Sequence, residues 1–410
     1  MPREVAALPA GIRITDMMSL GVIAKTFPLE EIKQVLREHG KESQRERLLP
    51  AHVVVYYVVA LALYMQVSYR EVLRCLLEGV RWLMGPDAKI HIACKSGISQ
   101  ARSRLGSLPM QSLYDRLVRP IAIGANDRAT RGAYFRKWKV VSIDGSTLDV
   151  ADTNDNAREF GRPGASRGDS AYPQVRFVSL VENGTHVLFG ARMGGYHESE
   201  IALSKDVIER LEEGMLCMAD RNFFSYEMWQ RAVSTGADQL WRVKKNLILE
   251  PIQVLEDGSF LSKVYPSAKD RRKDTNGITV RVIEYQLEGA TDAEPCYRLI
   301  TTIHSSQDAD AESLAALYHE RWEIESAIGE FKTHLRGAQM VLRSQKPELV
   351  RQEFFGFMLA HFAIRGLMHE AALRADVDPD EISFVHTVRV IRRKMAAAVS
   401  FPPSGLCQIS

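Results

Sequence analysis

The sequence is poor in the features that would place it in a specialised class. Its five cysteines, Cys75, Cys94, Cys217, Cys296 and Cys407, are scattered through 410 residues and form no C-x-x-C pair. An odd, dispersed set excludes a disulfide framework or a zinc module and points to a reducing compartment. No apolar run approaches the roughly 20 residues that a bilayer-crossing helix needs. The longest, Val53–Met65, has 13 uncharged residues and reads as a buried helix. The N-terminal stretch has no proper hydrophobic signal segment, so a cytoplasmic location with no membrane partner is expected. Internal repeats and low-complexity tracts are absent, which argues against solenoid and disordered classes. His197 and His304 show no metal-ligand spacing. The net charge is only +2, yet residues 1–130 carry 18 Lys and Arg against 12 Asp and Glu. A mildly basic front ahead of an acidic remainder is a weak pointer to DNA handling.

What is present is an ordinary globular composition, 46% apolar and 25% charged, with room for two or three domains. Residues 1–130 read as helical throughout, and Gln100, Arg102 and Arg104 lie on a helix-turn-helix stretch compatible with groove or phosphate contact. From residue 131 the pattern changes. A β-branched run, "KWKVVSIDGSTLDV", ends in Asp144 with Gly145 after it, and an extended loop covers Asp149 to Tyr172. Two alternating runs flank Asn183-Gly184, the strongest short hairpin signal in the chain. A helix leads to the buried strand "MLCMAD", ending in Asp220, and a further helix and strand complete the unit. The order predicts a mixed sheet with helices packed on it. Residues 246–304 read as an inserted antiparallel β element in which "KDRRKDTNG" is a charged, turn-forming stretch. Residues 305–340 return to the core, and 341–410 are helical.

The chain is organised around Tyr318–Lys332, expected to be the middle of one helix from an Asp310 N-cap to about Leu335. At roughly 100° per residue, Tyr318, Arg321, Glu325 and Lys332 fall within an arc of about 60°. A neighbouring stripe of Leu317, Ile324, Ile328, Phe331 and Leu335 should face a core. Glu323 sits about 200° from Glu325 and cannot share its face. A charged helix is usually a solvated surface, and an aspartate at a strand end is usually a turn residue. Two such aspartates followed by this patterned helix weaken both readings. Asp144, Asp220 and Glu325 at one cleft would need cations between them. Oxygen-only ligation selects Mg²⁺ or Mn²⁺, and a pair of such ions suits displacement at phosphorus. Asp149, Asp152 and Asp155 are expected to be solvated or capping, Arg158, Arg162 and Arg167 to lie in a basic loop, and Trp229 and Trp241 to be core.

Asp144 in "SIDGSTL", Asp220 in "MADRNFFS", and Tyr318, Arg321, Trp322, Glu325 and Lys332 in "YHERWEIESAIGEFK" together resemble the DDE transposases of bacterial insertion sequences. The similarity is to the group named after insertion sequence four, marked by a Tyr-Arg-Glu-Lys signature. The resemblance implies an RNase H-like α/β core with a β insertion, an all-α N-terminal DNA-binding domain and cut-and-paste movement of the parent element. It makes Asp144, Asp220 and Glu325 the metal ligands of a two-ion site, and Tyr318, Arg321 and Lys332 phosphate contacts. It gives Trp322 a role in holding a flipped base. The implied partners are double-stranded DNA, as element ends and target, and a second copy of the chain. Another RNase H-like nuclease, or an immobile DNA-binding descendant, remains the alternative.

Overall fold

A computed structural model of the chain describes residues 23–43, 49–74, 76, 93–124, 128–165, 168–169, 172–286, 296–337 and 340–396. These fall into two compact units. One gathers the described residues up to Val118 with Glu330–Glu370 and those from Ile382 onward; the other holds Arg119–Gly329 and Ala371–Glu381. The front helices thus share a unit with most of the C-terminal helices. No helix among the described residues is long and apolar enough to cross a membrane.

In the helical unit, α1 (Leu29–Glu38) buries Ile32, Val35 and Leu36, and the chain turns off it at Gly40, whose φ of 61° a side chain would disfavour. α2 (Ala51–Leu63) is buried from Val53 onward, as its unbroken apolar run requires. Ser68 caps the helical residues that follow, its hydroxyl accepting from the Glu71 N–H. α3 (Lys95–Leu105) ends at Gly106, φ 75°, and α4 (Leu108–Leu117) begins with Pro109 in its first turn. Arg102 departs from the expected groove contact. It is 3% exposed, and its guanidinium donates to Gln352, Ser344 and the Leu349 carbonyl. A buried cation must have its donors satisfied, and here the partners lie on and just before the long helix Pro347–Ala375. Gln100 and Arg104 on the same helix are exposed.

The other unit is built on one ten-stranded sheet. In chain order its strands are β1 (Tyr134–Phe135) and β2 (Trp138–Asp149), then, beyond the small separate pair β3 (Gly164–Ala165) and β4 (Gly168–Asp169), β5 (Gln174–Glu182), β6 (Val187–Gly195), β7 (Met215–Ala219), β8 (Asp238–Arg242), β9 (Gln253–Val254), β10 (Phe260–Val264), β11 (Ile278–Tyr285) and β12 (Tyr297–Thr301). The spatial order is β6-β5-β2-β7-β8-β12-β11-β10-β9, with β1 beside β2. β2, β7 and β8 are parallel neighbours, and every other pairing is antiparallel. β7 is buried along its whole length, as a central parallel strand covered on both faces must be. This is the mixed α/β architecture the alternating runs predict. The inserted strands do not form a separate element: β12 pairs with β8 and carries the sheet onward.

The helices of this unit are α5 (Asn154–Phe160), α6 (Glu200–Ile208), α7 (Tyr226–Ser234), α8 (Ala268–Lys273), α9 (Ala311–His319) and α10 (Trp322–Gly329). Two of them correct the sequence reading. α5 lies within the expected loop, capped by the Thr153 hydroxyl, and α8 lies within the charged turn, capped by Ser267. α9 packs Leu314, Leu317 and Tyr318 against Val140 of β2, Leu216 and Met218 of β7, Leu240 of β8 and Leu299 of β12. Trp229 and Trp241 are fully buried with ring centroids 5.3 Å apart, edge to face.

The expected single long helix is three segments. Asp310 caps α9 by accepting from the Ser313 N–H at 2.8 Å. The chain then tightens. The N–H groups of Glu320, Arg321, Glu323 and Ile324 each bond three residues back instead of four. After α10, Glu330–Leu335 is π-helical and belongs to the helical unit. A constant 100° advance therefore does not hold from Tyr318 to Lys332. The apolar stripe survives this, with Leu317, Ile324, Ile328, Phe331 and Leu335 all buried.

Candidate active site

Sheet register brings the two aspartates together. The parallel ladder between β2 and β7 ends at Ile143 opposite Ala219, so Asp144 and Asp220 are the next residue on each strand. Asp144 is not at a strand end, as expected, but mid-strand: β2 continues to Asp149 against β5 while its partner β7 stops. The end of β7 is what opens the space beside it. Neighbouring strands lie about 4.8 Å apart and side chains alternate between faces. Asp144 thus shares the face of Val140, and Asp220 that of Met218, which is the face under α9.

Arg321, in the tight turn between α9 and α10, joins this pair to the helix. Its Nη1 lies 3.4 Å from Asp144 Oδ2 and its Nη2 lies 3.4 Å from Glu325 Oε1. The side chain is only 14% exposed. Burial disfavours its charge, but Tyr318, Asp144, Asp220 and Glu325 outweigh that and raise its pKa. All three expected carboxylates therefore act on one cation. Burial also raises the Asp144 carboxyl above its usual range, against the Gly145 N–H, which donates to it at 2.7 Å, and the Arg321 charge. Glu200, at the start of α6, adds negative charge near Asp144. Sequence reasoning missed it. Gly145 leaves room for its carboxyl, because a Cβ there would stand 3.1 Å from Glu200.

Among the described residues no three His, Cys, Asp or Glu side chains are grouped to hold a metal ion. The donor chemistry nevertheless fits a hard divalent cation, since the groups around Arg321 are carboxylates.

The remaining expected residues separate. Tyr318 is 6% exposed and its hydroxyl donates to the Ala219 carbonyl at 3.3 Å. That hydroxyl, expected to contact phosphate, here bonds the backbone of the residue before Asp220. Trp322 is 64% exposed. Lys332 lies on the π-helical segment in the helical unit. Glu323 points away from Glu325 as its angle requires, accepting from the Gly184 N–H. With Asn183 donating to the Glu320 carbonyl at 3.3 Å, the hairpin turn grips the segment that carries the glutamate. Asp149 accepts from Gln174, Asp152 pairs with Arg162, and Asp155 lies in the first turn of α5. Arg158 is exposed, and Arg167 lies outside the described residues. His197 stacks edge-on with Tyr196, and His304 bonds the Thr279 carbonyl.

Comparison with known proteins fits this geometry. Residues 137–362 match the family described as "Transposase DDE domain", and residues 17–115 match "Insertion element 4 transposase N-terminal". The chain is 27% identical over 389 residues to the transposase InsG for insertion sequence element IS4 of Escherichia coli (strain K12), covering 93% of this chain and 84% of that protein. It is 23% identical over 242 residues to the putative transposase InsZ of the same organism, covering 58% and 76%. Among solved structures, the piggyBac transposase synaptic complex with hairpin DNA aligns at 10% identity and a TM-score of 0.45 over 92% of this chain and 79% of that one, too distant a likeness to place any residue.

Proposed function

We propose that this chain, which belongs to the transposase DDE domain family, cuts DNA at the ends of an insertion element and joins the freed ends to target DNA, using Asp144, Asp220 and Glu325 as its catalytic carboxylates. The observation that carries this reading is the Arg321 bridge, which ties Asp144 to a glutamate far along the chain, beside the end of β7. In the first step water adds to phosphorus and the 3′-oxygen leaves, becoming a hydroxyl. In the second that hydroxyl adds to a target phosphorus and displaces the target 3′-oxygen. Asp144, Asp220 and Glu325 would hold Mg²⁺ or Mn²⁺, as a pair of ions, which would supply charge neutralisation for displacement at phosphorus.

The chain's own residues do the positioning. The Asp144 carboxylate is kept in place by the Gly145 N–H. Tyr318 anchors the backbone before Asp220 through the Ala219 carbonyl. Arg321 presents a planar fork of donors suited to a phosphate, and Lys332 is a further phosphate-contacting cation. Trp322, with its ring exposed, is the aromatic surface against which an unstacked base would rest. The front helices bind the element end, in keeping with the N-terminal family match, and two copies of the chain hold both ends during cutting.

The test is cleavage of labelled element ends in Mg²⁺ by the wild type and by Glu325→Ala. The wild type should nick and then transfer the ends while the variant does neither. Equal cleavage by the two proteins would overturn the assignment, and cleavage with no strand transfer would make the chain a nuclease of another kind.

A further inference from the structure

The helical unit holds a small cationic cleft of about 150 Å³, bordered by Tyr69, Lys95, Ser99, Arg102, Arg343 and Lys346. No Asp or Glu lines it. Its volume is below the roughly 300–1,000 Å³ of an organic-ligand pocket, so it suits a compact anion. The two sides come from distant parts of the chain. Lys95 is the first residue of α3, and Lys346 directly precedes the long helix Pro347–Ala375. Each lysine therefore sits at the positive end of a helix dipole, where a cation works against folding. Both are exposed, and among the described residues neither has an ion-pair partner.

The two arginines of the cleft differ. Arg102 is satisfied by Gln352, Ser344 and the Leu349 carbonyl. Arg343 gives its Nη1 to the Val67 carbonyl at 2.7 Å, and its guanidinium carbon lies 4.8 Å from the Tyr69 ring centroid. Its Nε and Nη2 are buried with no hydrogen-bond partner. Orphaned donors on a cation are costly and call for an acceptor that arrives from outside. The segment bearing Arg343 and Lys346 is firmly seated, because the fully buried Glu353 accepts from the N–H groups of Arg343 and Ser344 at 3.1 and 3.0 Å. One buried carboxylate thus stands against four cations.

We propose, building on the front helices as the binders of the element end, that this cleft takes a backbone phosphate of DNA. Lys95 and Ser99 of α3 hold it from one side, and Lys346 from the other, while Arg343 supplies the charge beneath. The site is composite. Lys95 and Ser99 lie in the N-terminal family match, residues 17–115, whereas Arg343 and Lys346 lie in the span that matches the DDE domain, residues 137–362. Neither stretch completes it alone. The ligand chemistry is a phosphate group, which a phosphodiester backbone and free inorganic phosphate share.

The experiment measures affinity against salt for the full chain on an element-end duplex and on an unrelated duplex, without divalent ions so that no cleavage intervenes. The proteins are wild type, Lys95→Gln/Lys346→Gln and Lys95→Arg/Lys346→Arg, all substituted at exposed positions. Each lost phosphate contact lowers the slope of log K against log salt by about 0.9 on duplex DNA. The glutamine pair should lower it by about one such step, and the arginine pair should keep the wild-type slope. A fall on the element end alone assigns the cleft to that end, and an equal fall on both duplexes assigns it to any bound backbone. Thermal melting with and without inorganic phosphate separates the two sources of the anion. Slopes unchanged in the glutamine pair, with phosphate raising the Tm of wild type only, would make the cleft a small-anion site and overturn the proposal. Slopes unchanged with no effect of phosphate would overturn it as well. A wild type that binds neither duplex would instead refute the reading of the front helices, which a wild type that binds both with the slope of the glutamine pair would leave standing.

Discussion

Replacing Arg281 with methionine should destabilise the catalytic unit by about 3–5 kcal/mol, the usual cost of breaking a buried ion pair from one side. Arg281 on β11 is fully buried. It pairs with Asp257 and donates to the Ser259 hydroxyl at 2.8 Å and to the carbonyls of Ser305 and Ala309 at 3.1 and 2.6 Å. Asp257 in turn accepts from the N–H of Ala311, the first residue of α9, at 2.8 Å. One charged pair therefore fastens the inserted strands to the base of the helix that leads to Glu325. Methionine keeps much of the bulk and removes every donor, so the Asp257 carboxylate loses its cation and the carbonyls of Ile303, Ser305 and Ala309 each lose a donor. Each such group costs about 1–3 kcal/mol. Urea unfolding of wild type, Arg281→Met, Asp257→Asn and the double variant measures this. The double variant should be destabilised by much less than the sum of the two single ones, because both remove the same interaction. The pair also has a pH signature. Burial works to raise the Asp257 carboxyl, but the bonds from Ser259 and the Ala311 N–H and the Arg281 charge outweigh it and hold it below the usual carboxylate range. The stabilisation is therefore present above the unfolded carboxylate pKa of about 3.9 and is lost as pH falls through the depressed folded value. Arg281→Met should flatten that acid limb. A single-variant loss below about 1 kcal/mol, with additive effects in the double variant, would refute the reasoning.

Two other substitutions probe how the site is held. Tyr318→Phe removes the bond to the Ala219 carbonyl; a stability loss of about 1 kcal/mol is expected, with a lower cleavage rate constant and unchanged end affinity, and a fall in affinity alone would return Tyr318 to a phosphate-binding role. Gly184→Ala should cost about 2–4 kcal/mol in thermal or urea unfolding, because φ is +77° and a Cβ would stand 2.6 Å from the Ala133 nitrogen; a variant as stable as wild type would mean the turn can relax away from Gly132 and Glu323.

Sequence pattern carried as far as local chemistry reaches. Asn183-Gly184 marks the hairpin, Asp310 marks the start of α9, Leu317 its buried side, and Ile324 and Ile328 the buried side of its successor. Each of these depends on near neighbours. The tightened turn at Glu320–Arg321 was not legible, because its grip comes from Asn183 and Gly184, far away in the chain. Arg102 read as a solvent-facing cation for the same reason: its partners at Ser344, Leu349 and Gln352 have no local trace. α5 could have been found, since Thr153 is a good N-cap and Gly161 a good stop, but the Gly- and Arg-rich surroundings masked it. The aspartates were visible as isolated acids after apolar runs. Their adjacency is a matter of strand register, which alternation alone does not determine.

The most direct test of the central claim is cleavage of the polypeptide by radicals generated from bound Fe²⁺, with ascorbate and peroxide, in the presence of element-end DNA. Cuts clustered near residues 144, 220 and 325 together, suppressed by excess Mg²⁺ and lost in Asp144→Asn, are the predicted result. Cuts near one of these positions only, or a pattern indifferent to Asp144→Asn, would contradict the account.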